Sequence, residues 1–297
     1  MMGFIAETPL FASLPAFDMK GTSFYALGIP AAATAGGFLH LNEGYISSKV
    51  QLTMEKVEAK RVGAMIEAGK STTDLWNATH PGLNGMDIHL GERLKSEVIN
   101  IEKTTVTGTV NDAKGFLGWK QLTPAVTANV LTLSAVPGLP YTKNALNAAG
   151  STANTATSVY AVRRGPLDVG LYMGGTQGVA GFLGMSEVIE IVQADPNDST
   201  RKQKYYYTEG EGWLGMAVAG SSSANADRKY NQFCLRRAFN ITEDSGCKCT
   251  ESLMDKLIAM FPGGKKPDAF YMSARSQLQL LADRIANGTV YLQPSHG

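Results

Sequence analysis

Gly69-Lys70-Ser71, following a strand-like segment, is the first place in this 297-residue chain where residue types could do chemistry. A phosphate-binding loop sets a glycine five residues ahead of its second glycine, so that successive backbone N–H groups wrap the phosphates. That position is Ala64 here, and Gly63 misses it by one. The residues between are apolar and acidic where a cradle needs flexibility, so the expectation is a strand ending in a solvated turn. Gly174-Gly175-x-x-Gly178-x-x-Gly181 has a loose dinucleotide-loop spacing. The text after it, FLGMSEVIEIV, reads as strand, leaving no helix N-terminus for a pyrophosphate. Gly184-Met185-Ser186 lacks the glycine two residues beyond the serine that a nucleophile elbow uses. Cys247-x-Cys249 invites a metal, but His40, His80, His89 and His296 fall far away without ligand spacing. Arg163-Arg164 and Lys265-Lys266 read as solvated basic pairs. No catalytic, cofactor-binding or metal-ligating residue is identified, and no cofactor is expected.

Composition narrows the class further. Lys+Arg 27 against Asp+Glu 26 gives a net charge of +1, without the basic excess that drives phosphate binding. A chain beside DNA would then serve as a wall rather than a grip. The odd cysteine count (Cys234, Cys247, Cys249) argues against a disulfide framework and fits a reducing cytoplasm. The opening residues have no basic n-region and carry Glu7 early, unlike a signal peptide. No apolar run reaches the ~20 residues of a membrane span. The expectation is a soluble protein made inside a cell.

The elements that would position any site are mixed. Residues 3–17 form a short apolar arm in which Pro9 and Pro15 forbid a long helix. Val50, Leu52 and Met54 alternate with Gln51, Thr53 and Glu55, the period of a strand. If residues 47–67 are mostly extended they reach ~65 Å, beyond the roughly 50 Å diameter of a globule of this length. That would be a projecting hairpin resting on another subunit, since isolated hairpins are marginal in water. The plainer reading is two strands folded back at Gly63. Residues 71–86 read as turns. Residues 87–107 read as an amphipathic helix with Leu90, Leu94, Val98 and Ile101 on one stripe, Asp87 as N-cap and Gly108 as stop. The stretch NALNAAGSTANTATS reads as a loop. Strands follow at SVYAVRRG, VGLYMG, EVIEIVQAD, KQKYYYTEG, WLGMAVAG and YNQFCLRRAFN. A helix starts behind Thr250, the strand DAFYMS follows, and a last helix is capped by Ser273 and closed by Asn287-Gly288. The fold class is α+β with a long arm.

Read in order, these segments resemble the major capsid proteins of tailed double-stranded DNA bacteriophages, with the Hong Kong 97 type of fold. IAETPLFASLPAF is similar to their N-terminal arm. LHLNEGYISSKVQLTMEKVEAKRVGAMIE resembles the extended-loop hairpin, with a corner at Asn42-Glu43-Gly44. Residues 87–107 resemble the spine helix and GFLGW the segment leaving it. TSVYAVRRGPLDVGLYMGGTQG with EGWLGMAVAG resembles a recurring strand pair, and KKPDAFYMSARSQLQLLADRI a strand-to-helix element. The arm is short, and the chain stops at Gln293-Pro-Ser-His-Gly297, where the family adds at least another strand.

The resemblance implies residues 1–20 as N-terminal arm, 21–70 as extended-loop hairpin, 71–125 as spine helix with flanking turns, and 126–297 as peripheral and axial domains. It implies a non-enzymatic virion protein whose copies form pentamers and hexamers of an icosahedral shell around the phage genome. Assembly would take place in the bacterial host cytoplasm. Partners would be further copies, with portal, scaffold and decoration proteins, and packaged DNA nearby without sequence-specific binding or any membrane. Lys–Asn cross-links occur in some relatives, and no pair is identified here. An encapsulin-like compartment shell is the alternative within the fold, and a soluble α+β enzyme the alternative outside it.

Overall fold

A computed structural model describes residues 8–19, 21–28, 53–82, 84–109, 115–123, 145–151, 156–166, 168–174, 184–195, 198–218, 234–261 and 266–288. The Asn42-Glu43-Gly44 corner and Val50 and Leu52 lie outside them. The chain divides into two compact units. One comprises Met1–Phe24, Val57–Gly118 and Leu171–Met216; the other comprises Tyr25–Lys56, Trp119–Gly170 and Ala217–Gly297.

The first unit begins with the single-turn helix α1 (Pro9–Ser13), with proline in its first turn. Strand β1 (Ala16–Asp18) follows it. Strands β2 (Ser23–Gly28) and β3 (Thr53–Glu58), most of whose residues belong to the second unit, pair in a sheet of their own. Strand β4 (Lys60–Gly69) buries Ala64, Ile66 and Ala68 and exposes the residues between, the alternation of a half-covered strand. It runs straight through Gly63, where the plainer sequence reading folds the chain back. That glycine sits against β10 (Asp198–Val218), where a Cβ would meet the Gly210 carbonyl oxygen at 3.3 Å.

β4 and β10 are antiparallel from Lys60↔Leu214 to Gly69↔Tyr205. β10 is one 21-residue strand, so KQKYYYTEG and WLGMAVAG are not two. Gly210 and Gly212 look like a break in the sequence, but pairing to Ala64 and Val62 holds them extended. The sheet runs β1-β7-β10-β4, with β7 (Val169–Gly174) parallel to β1. Strands β8 (Gly184–Met185) and β9 (Ile189–Asp195) pair antiparallel to β10.

Two helices follow β4. Residues 71–86, read as turns, are largely helix: α2 spans Lys70–Thr79. Its sequence carries no apolar stripe, since Leu75 and Trp76 are both exposed. Tertiary contacts override that weak propensity. A Cβ at Gly85 would meet the Trp76 ring at 3.2 Å, and Gly85 N–H donates to Asn77 Oδ1 at 2.8 Å. Helix α3 (Gly85–Thr107) is capped by Asn84, whose side chain accepts from Met86 N–H, so Asp87 lies in the first turn instead. Its stripe meets the sheet through Met86 and Leu90 against Ile66, Ala68 and Tyr206. It stops at Gly108 as the sequence implies. There a second glycine is required. A Cβ on Gly118 would fall 2.8 Å from the Val106 carbonyl oxygen, and Gly118 N–H donates to Gly108 O at 2.9 Å.

The second unit is built on a four-stranded sheet ordered β12-β6-β11-β5. Its strands are β5 (Ala145–Asn147), β6 (Thr157–Val162), β11 (Leu235–Ile241) and β12 (Ala269–Tyr271). β5 lies parallel to β11 inside the stretch read as a loop; its Ala145 and Leu146 are buried. Helix α4 is the short Trp119–Leu122. Helices α5 (Glu251–Ala259) and α6 (Ala274–Ala286) carry the expected caps, Thr250 and Ser273. Val159, Ala161, Ala238 and Ile241 pack with Met254, Leu257, Met260, Phe261 and Leu280 on the helix-covered face. The other face carries Tyr160 and Tyr271 against Trp119. Among the described residues no helix is long and apolar enough to cross a membrane.

Candidate functional site

Gly69-Lys70-Ser71 does lie at a strand-to-helix junction, between β4 and α2, rather than in a solvated turn. Its lysine is committed elsewhere. Lys70 Nζ pairs with the Glu190 carboxylate on β9 and lies 5.5 Å over the Tyr206 ring. Lys204 reaches the same carboxylate at 2.6 Å, and Tyr206 O–H donates to Asp74 on α2 at 2.9 Å. Hydrogen bonds from Lys204 and Lys70 hold the Glu190 carboxyl down to about 2, and Glu190 raises Lys70 in turn. This network ties the β9–β10 hairpin to α2; the lysine's charge is already met by an acid.

A carboxyl depressed in the folded chain adds stability above the ordinary carboxylate range, and that contribution fades as pH falls through the folded value. Glu190 is therefore expected to stay ionised at about pH 3.5, where an ordinary glutamate is mostly protonated. Its carboxyl carbon shift, followed by NMR, checks this. A midpoint in the ordinary range in the wild-type chain would refute the network, and Lys204→Met should move the midpoint upward.

The other chemical motifs are placed in structural roles. Ser186 Oγ accepts from Glu209 N–H at 3.1 Å, and its carbonyl accepts from Thr208 Oγ1 at 2.8 Å, bonds that fasten β8 to β10. Gly174 ends β7, Gly175, Gly178 and Gly181 lie outside the described residues, and strands follow as expected. His80 stacks on Trp76 at 4.1 Å. None of Cys234, Cys247 and Cys249 is in a disulfide. Burial pushes Cys249 up to about 11, and Asp283 adds to the rise. Among the described residues no His, Cys, Asp and Glu side chains group to hold a metal. The basic pair at 163–164 is ion-paired, Arg163 to Asp168 at 3.0 Å and Arg164 to Asp268 at 3.2 Å.

Two buried cations escape the sequence reading. Arg236 and Arg237 are consecutive on β11 and therefore face opposite sides of its sheet. Arg236 Nε donates to Met260 O at 3.2 Å with its guanidinium over Phe261, and burial lowers it to about 10. Arg237 donates to Ser158 Oγ and to Thr123 O, over the rings of Tyr160 and Phe239. The available signal was a charged pair inside an apolar strand, because alternation cannot put both neighbours on one solvated face.

What remains unused is apolar and exposed. In the first unit Met65, Leu75, Val188, Ile189 and Val192 stand in solvent. In the second, Leu278, Leu281 and Ile285 line one side of α6, Leu278 at 66% exposure. Exposed apolar groups in this number can bury against another protein surface.

No protein-family model and no curated protein matches the chain. Among solved structures it is similar to a chain of bacteriophage Epsilon15, with a TM-score of 0.57 and 12% identity over 96% of this chain and 80% of that one. It is also similar to the capsid of a native GTA particle, at a TM-score of 0.42 and 8% identity, covering 78% of this chain and 90% of that one. A structure of Mycobacterium phage Bobi matches at a TM-score of 0.43 and 9% identity, covering 77% of this chain and 88% of that one. The Epsilon15 likeness shows the fold: an α+β chain of the Hong Kong 97 type.

Proposed function

We propose that this chain is the major capsid protein of a tailed double-stranded DNA phage, assembling into pentamers and hexamers of an icosahedral shell around the genome. The observation that carries this is the shared fold with a bacteriophage chain over 96% of its length. The exposed apolar groups of both units support it, because repeated copies would cover them. Many modest contacts, repeated over a closed shell, supply stability that no single interface has to provide. In this reading mechanism means assembly geometry, and the chain is a structural protein rather than an enzyme.

The parts follow. Residues 1–20 are the clasping arm and 21–70 the extended-loop hairpin, anchored at its end by β4 in its own sheet and otherwise laid over a neighbouring copy. Residues 71–125 carry the spine helix, α3, and 126–297 supply the peripheral and axial domains. The near-neutral charge of +1 limits repulsion between copies and premature clumping on DNA. Portal, scaffold and decoration proteins are the further partners. The shell forms in the bacterial host cytoplasm and ends in the virion.

The test is size. Expressed chain viewed by negative-stain electron microscopy, beside sedimentation velocity, should give closed shells or hexamer-sized rings. A monomer that binds a small ligand saturably would overturn the proposal.

A further inference from the structure

The dipeptide Asn-Gly stands at Asn84-Gly85 and again at Asn287-Gly288. The pairing matters chemically, because a glycine has no side chain to shield its backbone nitrogen from the carboxamide carbon of the residue before it.

The fold treats the two places differently. At Asn84 both reacting groups are held: its Oδ1 accepts from Met86 N–H at 3.0 Å, and Gly85 N–H donates to Asn77 Oδ1 at 2.8 Å. Gly85 is buried, and a Cβ there would meet the Trp76 ring at 3.2 Å and the Thr73 methyl at 3.3 Å. Closing a ring at this place would break the N-cap of α3 and press on α2. At Asn287 the dipeptide follows the last turn of α6 and is exposed. Gly288 has φ +67°. Among the described residues, no atom beyond its chain neighbours lies within 4 Å of where a Cβ would stand. Its N–H donates to Ile285 O at 3.1 Å, a bond at the helix end, where helices fray.

We propose that Asn287 is a spontaneous modification site of the folded chain, and that the fold protects Asn84 from the same reaction. The Gly288 nitrogen loses its proton to solvent base and bonds to Asn287 Cγ. The Cγ–Nδ2 bond breaks, and Nδ2 takes up a proton and leaves as ammonia. Water then opens the cyclic imide at either carbonyl, giving aspartate or isoaspartate without any redox change. Either product sets a carboxylate at the negative end of the α6 dipole, four residues after Asp283, and both charges disfavour it there. Isoaspartate also lengthens the backbone by a methylene. Conversion therefore loosens the last turn of α6.

Full-length chain, aged at mildly alkaline pH both folded and in denaturant, tests this. Trypsin yields residues 71–93 and 285–297 as separate peptides. Mass spectrometry of each reads the amide-to-acid change, and chromatography separates the isoaspartate form. In the folded chain Asn287 should convert at least about tenfold faster than Asn84, which reacts only from an opened helix terminus. In denaturant the two rates should agree within about threefold, since the fold no longer separates them. Amides of residues 284–288 should exchange about threefold faster in the converted chain. An Asn287 that stays intact in the folded chain, or converts there no faster than Asn84, would overturn the proposal. So would a tenfold gap that persists in denaturant, because the fold would then not be its cause. Unchanged exchange at residues 284–288 would overturn the loosening of α6.

Discussion

Removing residues 28–48 is expected to leave a folded subunit that forms no closed shells. The six-stranded and four-stranded sheets are assembled from β1, β4 to β12, and none of those strands draws on this segment. Among the described residues the deletion touches only Gly28, the end of β2, whose strand pairs with β3. Far-UV circular dichroism should stay within about a tenth of wild type, because the large sheets and helices α2 to α6 are untouched. In electron micrographs, particle yield should fall by on the order of a hundredfold. A contact repeated in every copy of a shell is lost everywhere at once, and each 1.4 kcal/mol lost per contact is about tenfold in association. Normal particles from the deleted chain would sink the hairpin proposal.

Legibility of the fold from sequence followed the strength of periodicity. Helix α3 was readable because Leu90, Leu94 and Ile101 repeat at helical spacing, and α5 and α6 because Thr250 and Ser273 cap them. Helix α2 was not, because its only buried side chain is Thr73 and its fixing contacts come from the start of α3. Strand β5 was hidden by its length of three residues within Ala- and Asn-rich text. β10 was split because Gly210 and Gly212 look like a turn when the pairing strand is unseen. At the level of chemistry the same limit holds. The sequence shows Gly69-Lys70-Ser71 but not that Glu190, 120 residues away, meets the lysine. It shows Arg236-Arg237 but not the carbonyls of Met260 and Thr123 waiting on either side of the sheet. Long-range partners decide whether a charged group is a site or a bolt, and they are what one-dimensional spacing omits.

Trp119→Ala is expected to destabilise the chain by about 3–5 kcal/mol, the cost of emptying a buried aromatic site. Trp119 is completely buried on the sheet face opposite α5 and α6, 5.7 Å from the Tyr160 ring and 5.3 Å from that of Tyr271. It also starts the turn whose Thr123 carbonyl takes the Arg237 guanidinium at 3.3 Å. Collapse of that site would free a buried cation as well as open a cavity. Trp119→Phe should behave differently. The indole Nε1 is buried and has no hydrogen-bond partner among the described residues. Leaving such a donor unmet costs about 1–3 kcal/mol, so its removal offsets much of the lost ring volume, and the phenylalanine chain should unfold within about 1 kcal/mol of wild type. Denaturant unfolding of the unassembled subunit, with midpoints compared at equal slope, separates the two cases. A phenylalanine cost as large as the alanine cost would mean that the indole N–H holds a partner after all.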